Sequence, residues 1–303
     1  MAAQDTATLP DAAEAVGVEE TTEWVEHEGR EFYTHTYRAA GGQLPVATLT
    51  IVHGLGEHVD RYCEMAQSFA RAGIHVLGFD QRGFGKTGRR CGRLGDNEGI
   101  ETVCQDIGFF SRRIAQEGVP HFLFGHSMGG LNVLNHALSC NDNGYIRGVI
   151  ASAPALMPGK PLMPPSFVVS VLHQVARFVP SIPKSTGITH DMLTSNMAER
   201  ERISGSVEMI GFATLGTIAG ILKQGSRVLA GAGSFKTPVL IIHATGDKAT
   251  NCEGTRQFYA NLPADLDKEF REFDSQYHEL HYEEDHGPEL MKSYCDWFLK
   301  RLD

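Results

Sequence analysis

Short apolar runs rich in β-branched residues alternate along the chain with longer stretches of helical periodicity. The runs are continuously apolar rather than alternating, which is typical of strands buried on both faces of a parallel sheet. Predicted strands cover Val46–Val52, His75–Phe79, His121–Phe124, Val149–Ala153, Val239–Ala244 and Glu269–Phe273, and predicted helices cover Tyr62–Ala72, Ile100–Glu117 and Thr255–Ala260. Thr22–Tyr37, with Gly29 near its middle, predicts an N-terminal hairpin. This order predicts an α/β fold, a mostly parallel central sheet with right-handed crossovers and helices on both faces.

The alternation stops between residues 156 and 234, where several prolines punctuate two apolar helical stretches. The stretches are Ser166–Phe178 and Val207–Leu222, and no strand pattern interrupts them. We expect a helical cap here, above the carboxyl edge of a core formed by residues 21–155 and 235–303. Residues 210–222 are nearly free of charge and too short and glycine-rich to span a membrane. Two interpretations remain open for them, an ordinary buried helix and an apolar rim that touches lipid or lines a tunnel.

Charge and cysteine content limit the classes of partner and compartment. The formal net charge of −10 argues against nucleic acid, whose phosphates would be repelled. The start of the chain, rich in Ala, Asp, Glu and Thr, predicts a disordered acidic tail over residues 1–20. Six cysteines without close pairing or a C-x-x-C pattern predict reduced thiols in an intracellular protein. No secretory signal and no run of 18 apolar residues is visible, so we expect a cytoplasmic protein, either soluble or peripheral on membranes or lipid droplets.

The segment Gly125–Gly130 fits the pattern G-x-S-x-G, in which a serine occupies a sharp turn between a strand and a helix. An apolar run precedes it and a helical stretch, Leu131–Leu138, follows. Glycine on both flanks allows a strained backbone, and the helix places its positive end beside the hydroxyl. The pattern therefore predicts Ser127 as a nucleophile, the alternative being a serine that only caps the helix.

A serine nucleophile needs a base and an acid that orients the base, and in this type of fold they follow the serine as acid and then histidine. Asp247 comes just after the strand Val239–Ala244, and His278 follows the last strand. We predict these two residues as the acid and the base, although His281 and His286 are nearby rivals. The segment 278–281 reads His-Glu-Leu-His and lacks the spacing of H-E-x-x-H, so no metal site is predicted.

Backbone N–H groups are expected to stabilise the oxyanion that forms when the serine attacks. The loop His53–His58 directly follows the strand Val46–Val52 and takes the position that supplies one such donor. The predicted donors are the N–H of Leu55 and the N–H of Met128, the residue after the nucleophile.

Together these motifs resemble α/β-hydrolases of the monoacylglycerol lipase and lysophospholipase group, most closely its fungal type. The matching segments lie between residues 30 and 303, outside the cap: His53–His58 with Arg61 and Tyr62, Asp80–Gly85, the Ser127 turn, Asp247, and Tyr277–His281. The resemblance implies a triad of Ser127, Asp247 and His278 with donors at Leu55 and Met128. It also implies a glycerol pocket formed by Glu57, Arg61 and His281.

The resemblance implies that the protein hydrolyses a lipid monoester with a serine nucleophile, and that the substrate is most simply a monoacylglycerol. The reaction would pass through an acyl-enzyme and would need no metal or organic cofactor. Lysophospholipase, general carboxylesterase and thioesterase activity remain open, as does a ligand-binding protein that keeps the fold without turnover. The basic residues Arg82, Lys86, Arg89, Arg90 and Arg93 could bind phosphate or anionic lipid, but a solvated loop face is favoured.

Overall fold

The computed structural model describes residues 17–141 and 144–303, and an eight-stranded sheet forms its centre. The strands are β1 (Val18–His27), β2 (Arg30–Ala39), β3 (Ala47–Val52), β4 (Ile74–Phe79), β5 (His121–His126), β6 (Ile146–Ser152), the short β7 (Pro183–Ser185) and β8 (Phe212–Thr214), then β9 (Val239–Ala244) and β10 (Lys268–Phe273). Their order in the large sheet is β1-β2-β4-β3-β5-β6-β9-β10. The pairs β1–β2 and β2–β4 are antiparallel, and all pairs from β4 to β10 are parallel.

Helices cover both faces of this sheet. They are α1 (Cys63–Arg71), α2 (Gly85–Cys91), α3 (Ile100–Ile114), α4 (Met128–Cys140), α5 (Ser166–Phe178), α6 (His190–Leu193), α7 (Met197–Gly205), α8 (Leu215–Gly231), α9 (Cys252–Asn261) and α10 (Gly287–Leu299). One apolar core joins the sheet to α3, α4, α8 and α9, and a second core joins it to α1 and α10. In β5, Phe122 and Phe124 enter the second core while Leu123 enters the first. Side chains that alternate between two cores explain why the strands are apolar throughout.

The predicted α/β fold is confirmed, and each predicted strand is present with its ends shifted by at most a few residues. The predicted tail is wrong at its end, because Val18–Glu20 belong to β1 and pair with β2. Residues 1–16 of that tail lie outside the described residues. The sequence pattern did not reveal α2 or α10.

The cap segment, residues 156–234, carries α5 to α8 and is not wholly helical as predicted. The strands β7 and β8 pair within it as an antiparallel ribbon. The second predicted helical stretch starts too early, since α8 begins at Leu215. Thr214 is extended with ψ 157°, and its side chain accepts a hydrogen bond from the N–H of Thr217 at 3.3 Å, which caps the helix there. In the part of the chain that the structure describes, no helix is both long and apolar enough to cross a bilayer.

Candidate active site

A sharp turn holds Ser127 between β5 and α4. Its backbone has φ 55° and ψ −119°, a left-handed conformation that a residue other than glycine keeps only where its surroundings fix it. The N–H of Ser127 donates to the carbonyl of Ser152 at 2.9 Å, and its carbonyl accepts from the N–H groups of Leu131 and Ala155, both at 3.0 Å. These three bonds hold the serine at the positive end of α4.

Glycines flank Ser127 because the backbone here passes very close to other backbone. A Cβ at Gly129 would collide with the carbonyl oxygens of Val52 and His53 at the end of β3. A Cβ at Gly125 would collide with the carbonyl oxygen of Gly129. The G-x-S-x-G pattern therefore has a steric cause in this fold.

Asp247 and His278 meet at the same edge of the sheet as Ser127. Asp247 follows β9 and His278 follows β10, and these strands are parallel neighbours. The carboxylate oxygen Oδ2 of Asp247 lies 2.6 Å from Nδ1 of His278. His278 and Ser127 both line one cavity. The structure thus brings the three predicted residues together.

Burial and mutual charge set the protonation of this pair. Burial alone raises the pKa of Asp247, but the charge of His278 and a hydrogen bond with His243 lower it well below its usual range. Burial lowers the pKa of His278, and Asp247 outweighs this so that the net shift is upward. Asp247 therefore stays ionised, and its charge favours the protonated form of His278.

The loop after β3 carries the predicted oxyanion donor Leu55 to the side of Ser127. Leu55 lines the cavity together with Ser127, and a Cβ at Gly54 would lie 3.1 Å from that of Ser127. The side chain of Glu57 closes the loop, because its Oε1 accepts from the N–H of Gly54 at 2.5 Å. Met128 lies next to Ser127 at the start of α4 and lines the adjoining cavity. Both predicted donors therefore flank the serine.

Arg61 is the centre of a buried ion cluster with Glu57, Glu279 and Glu199. Its Nη1 donates to Glu57 Oε2 at 2.6 Å and to Glu279 Oε1 at 2.8 Å. Its Nη2 donates to Glu199 Oε1 at 2.7 Å and to Glu279 Oε2 at 2.8 Å. Burial raises the pKa of Glu57, whereas Arg61 overcomes the effect of burial on Glu279 and lowers its pKa. Two of the three predicted pocket residues are thus tied to each other and to two acids that the sequence did not indicate.

His281 is buried beside this cluster but is not among the described residues that line the cavity at Ser127. Its ring stacks on Tyr62 with centroids 5.9 Å apart and makes an edge contact with His126 at 4.9 Å. Burial, together with the nearby charges of Arg61 and His278, lowers the pKa of His281 to about 3, so the ring is neutral near pH 7.

The cavity has two arms that meet at Leu55 and Ser127. The first, here called the polar arm, is lined among others by the polar residues Glu57, Arg61, Glu279, His190, Ser204 and Ser206 and by the apolar residues Leu193, Ile203, Met209 and Ile210. The second, the apolar arm, is lined among others by Leu156, Met157, Leu162, Val168, Leu172, Ile218, Ile221 and Leu222. Ile218, Ile221 and Leu222 belong to α8, so part of the uncharged stretch 210–222 is a helix that lines a cavity. One arm suits a polar group and the other a hydrocarbon chain.

Comparison with known proteins identifies the family. The family described as serine aminopeptidase, S33 matches residues 43–285. The chain belongs to this family. It is 31% identical over 259 residues to an uncharacterized abhydrolase domain-containing protein of Dictyostelium discoideum, covering 86% of this chain and 27% of that protein. It is also 31% identical over 241 residues to a provisionally named monoglyceride lipase of Schizosaccharomyces pombe, covering 79% of this chain and 63% of the relative.

The chain therefore spans less than two thirds of the length of these two relatives. Among solved structures of the fold, the crystal structure of Paleococcus ferrophilus monoacylglycerol lipase superposes with a TM-score of 0.78 at 28% identity, covering 89% of this chain and 99% of that one. The match agrees with the family assignment and with the α/β-hydrolase fold.

In this member of the S33 family, His243 and Thr250 hold the carboxylate of Asp247 in place. Oδ1 of Asp247 accepts from the N–H groups of Ala249 at 2.8 Å and Thr250 at 3.0 Å. The hydroxyl of Thr250 lies 2.9 Å from Oδ2, and Nε2 of His243 lies 3.3 Å from it. In the sequence, these contacts are indicated only by the position of His243, a histidine within the otherwise apolar strand β9.

The predicted solvated face holds for Arg89, Arg90 and Arg93, which are exposed, but it is wrong for Arg82. Four of the five basic residues pair with acids. Arg82 is buried, with Nε 2.7 Å from Oδ2 of Asp106 and Nη1 2.8 Å from Oε2 of Glu98. Three others form ion pairs, Lys86 with Asp60, Arg90 with Glu31 and Arg93 with Asp96. These contacts account for four of the five charges within the protein itself.

Proposed function

We propose that this protein is a serine hydrolase that cleaves monoacylglycerols to free fatty acid and glycerol. The observation that carries the proposal is the meeting of the polar and apolar arms at Ser127. An ester carbonyl at Ser127 would place the acyl chain in the apolar arm and the glycerol in the polar arm. The likeness to a monoacylglycerol lipase of Paleococcus ferrophilus supports the same substrate class.

In the proposed mechanism, Nε2 of His278 takes the hydroxyl proton of Ser127 as its oxygen attacks the ester carbonyl. Asp247 holds the imidazole by its Nδ1 and stabilises the positive charge. The N–H groups of Leu55 and Met128 stabilise the oxyanion, a contribution of roughly 2.7–4 kcal/mol for each donor in a comparable enzyme. His278 then gives the proton to the leaving glycerol, and water attacks the acyl-enzyme. These steps require no metal or organic cofactor.

Charge in the polar arm favours a neutral headgroup. The nitrogens Nη1 and Nη2 of Arg61 are committed to Glu57, Glu199 and Glu279. Arg202 also pairs with Glu199 at 3.2 Å, so three carboxylates face two guanidinium groups. A lysophospholipid would bring its phosphate towards this excess of negative charge, whereas a glycerol hydroxyl can donate to a carboxylate. We therefore place the glycerol against Glu57 and Arg61. His281 would act on this pocket indirectly, through its contact with His126, which lines the arm.

A panel of esters tests the substrate class. Purified full-length protein is assayed with a long-chain monoacylglycerol, the matched lysophosphatidylcholine, an acyl thioester and a short 4-nitrophenyl ester. We expect the highest kcat/KM for the monoacylglycerol. Equal or faster turnover of the lysophospholipid would contradict the neutral-headgroup argument, and preference for the thioester or short ester would indicate a different hydrolase.

Labelling separates an enzyme from a ligand-binding protein that keeps the fold. A fluorophosphonate probe should label the wild type and Ser226→Ala, which changes an exposed serine on α8, but not Ser127→Ala. Ser127→Ala should also lose activity by about 10⁶, the scale seen when a triad serine is removed. A wild-type protein that neither reacts with the probe nor hydrolyses any ester would be a binder.

We place the protein in the cytoplasm, in peripheral contact with membranes or lipid droplets through the cap segment acting as a lid. The outer face of α5 exposes Phe167, Val171 and Phe178. Val168 and Leu172 on the same helix line the apolar arm, so lipid touching α5 would be next to the acyl-chain site.

We propose no nucleic-acid partner, because the net charge of −10 would repel the phosphates.

A further inference from the structure

A second cluster of reactive side chains lies at the opposite end of α4 from Ser127. Cys104, His136 and Cys140 each offer a ligand atom, and these atoms lie within 4.8 Å of one another. Ser127 precedes α4 and Cys140 is its last residue, 13 residues into the helix, which corresponds to roughly 20 Å at about 1.5 Å per residue. The cluster is therefore separate from the ester chemistry.

Two helices position these side chains. His136 and Cys140 are four residues apart on α4 and so share one face of it, while Cys104 comes from α3. The Nδ2 of Asn135 lies 3.0 Å from Sγ of Cys104, which fixes the thiol against α4. Gly108, one turn further along α3, leaves room for the imidazole, since a Cβ there would lie 3.3 Å from Cε1 of His136.

The imidazole of His136 is held by partners at both nitrogens. Nδ1 lies 3.1 Å from the backbone carbonyl of Cys104, and Nε2 lies 2.6 Å from the hydroxyl of Tyr145. Because a carbonyl only accepts, Nδ1 carries the proton, and a cation would bind Nε2 in place of the Tyr145 hydroxyl. Nδ1 keeps its hydrogen bond, which is the arrangement that orients histidine ligands in metalloproteins.

The place of the cluster in the fold also suits a cation. The carbonyl end of α4, where Cys140 lies, favours positive charge. Cys140 is exposed, so a cation can reach the site from solvent.

From this cluster we infer that Cys104, His136 and Cys140 form a binding site for one soft d¹⁰ cation, with Zn²⁺ the divalent representative of the class. Two thiolates and one imidazole are common zinc ligands, and a water molecule would complete the tetrahedron on the side where Cys140 is exposed. The two thiols bind as thiolates and release their protons, which leaves a site of zero net charge with Zn²⁺. The cation would link α3 to α4 as a structural crosslink.

A disulfide is the competing use of the two cysteines. It would leave the oriented imidazole of His136 without a role, whereas coordination uses all three side chains. All six cysteines of the chain are free in this structure, and the four others lie outside the cluster.

Cobalt spectroscopy of the full chain tests the site, because Co²⁺ replaces Zn²⁺ and reports its ligands by absorbance. We expect one equivalent of Co²⁺ to produce an intense thiolate-to-metal charge-transfer band and tetrahedral d–d bands, both abolished by adding Zn²⁺. Cys140→Ser and Cys104→Ser should lose most of the charge-transfer intensity, and His136→Gln should shift the d–d bands. The matched control Cys91→Ser, which removes a half-exposed thiol at the end of α2, should leave the spectrum unchanged.

Thermal unfolding provides a second readout that does not depend on activity. Zn²⁺ should raise the Tm of the wild type and of Cys91→Ser but not of Cys140→Ser, because a ligand that binds only the folded state stabilises it. Absence of the cobalt band, or a band that survives Cys140→Ser, would overturn the proposal. A thiol titration provides another outcome that would overturn it. If two thiols disappear under air and return when a reductant is added, the two cysteines form a disulfide.

Discussion

Nη2 of Arg61 lies 2.7 Å from Oε1 of Glu199, and this contact ties the core to the cap segment. Arg61 lies in the turn before α1, whereas Glu199 lies in α7, and both side chains are buried. Glu57 and Glu279 contact the same guanidinium, so Arg61 pairs with acids from three parts of the chain. Arg202 of α7 gives Glu199 a second partner at 3.2 Å. Arg61 is therefore the central cation of the polar arm.

Arg61→Met should lower the free energy of unfolding by roughly 3–5 kcal/mol, the cost of leaving buried charges without their partner. Urea unfolding followed by tryptophan fluorescence measures this. The control is Arg90→Met, whose ion pair with Glu31 is exposed and should contribute only about 0–1 kcal/mol. Equal effects of the two changes would show that the buried cluster does not hold the polar arm together.

Asp247→Asn should reduce kcat for monoacylglycerol by about 10⁴, as the same change does in another triad, because the amide favours the wrong tautomer of the histidine. Steady-state kinetics measures the loss. Asp265→Asn, an exposed aspartate before β10, is the control and should behave as wild type. Near wild-type turnover by Asp247→Asn would mean that another carboxylate orients the base.

The pH profile of kcat/KM should have an acidic limb set by His278. The base works only when unprotonated, so activity rises as pH increases through the pKa of His278, which Asp247 raises above the usual value of about 6.5. In Asp247→Asn that attraction is lost, and the limb should move to lower pH. The measurement uses an activated 4-nitrophenyl ester so that the weak variant remains measurable. If the acidic limb lay at the same pH in the wild type and in Asp247→Asn, it would reflect the titration of a group other than His278.

The sheet and the turn that carries Ser127 could be predicted from the sequence because each has a local pattern. Strands such as β5 carry apolar residues on both faces, and the turn at Ser127 requires its glycines for steric reasons. Glu199 has no such pattern, since it meets Arg61 across 138 positions of chain. The same holds for Cys104 and Cys140, which only the packing of α3 on α4 brings together. Contacts made by tertiary packing leave no periodic signal in one sequence.

Gly129→Ala should lower the free energy of unfolding by about 1–3 kcal/mol, because the added Cβ would collide with two carbonyl oxygens at the end of β3. It should also reduce labelling by a fluorophosphonate, since the collision displaces the turn that carries Ser127. Gly205→Ala is the matched control, because its Cβ would meet nothing within 4 Å and alanine favours the helix by about 0.5–1 kcal/mol. If Gly129→Ala unfolded at the same urea concentration as Gly205→Ala, the close approach of this turn to β3 would be disproved.

The exposed face of α5 gives the proposed membrane contact a direct test. Phe178 is 83% exposed and Val171 56%, so changing both to Asp should leave the fold intact while removing apolar area that lipid would cover. The double variant should float less with neutral phosphatidylcholine vesicles and lose activity on monoacylglycerol in those vesicles. Its turnover of a water-soluble short ester should remain unchanged.

The control for that variant is Val207→Asp, which adds the same charge at a site 66% exposed and outside α5. It should float like the wild type. Equal loss in the double variant and the control would mean that added negative charge, rather than the α5 face, weakens binding. Because Val168 and Leu172 of α5 line the apolar arm, a contact specific to this helix would let substrate pass from lipid to Ser127 without entering water.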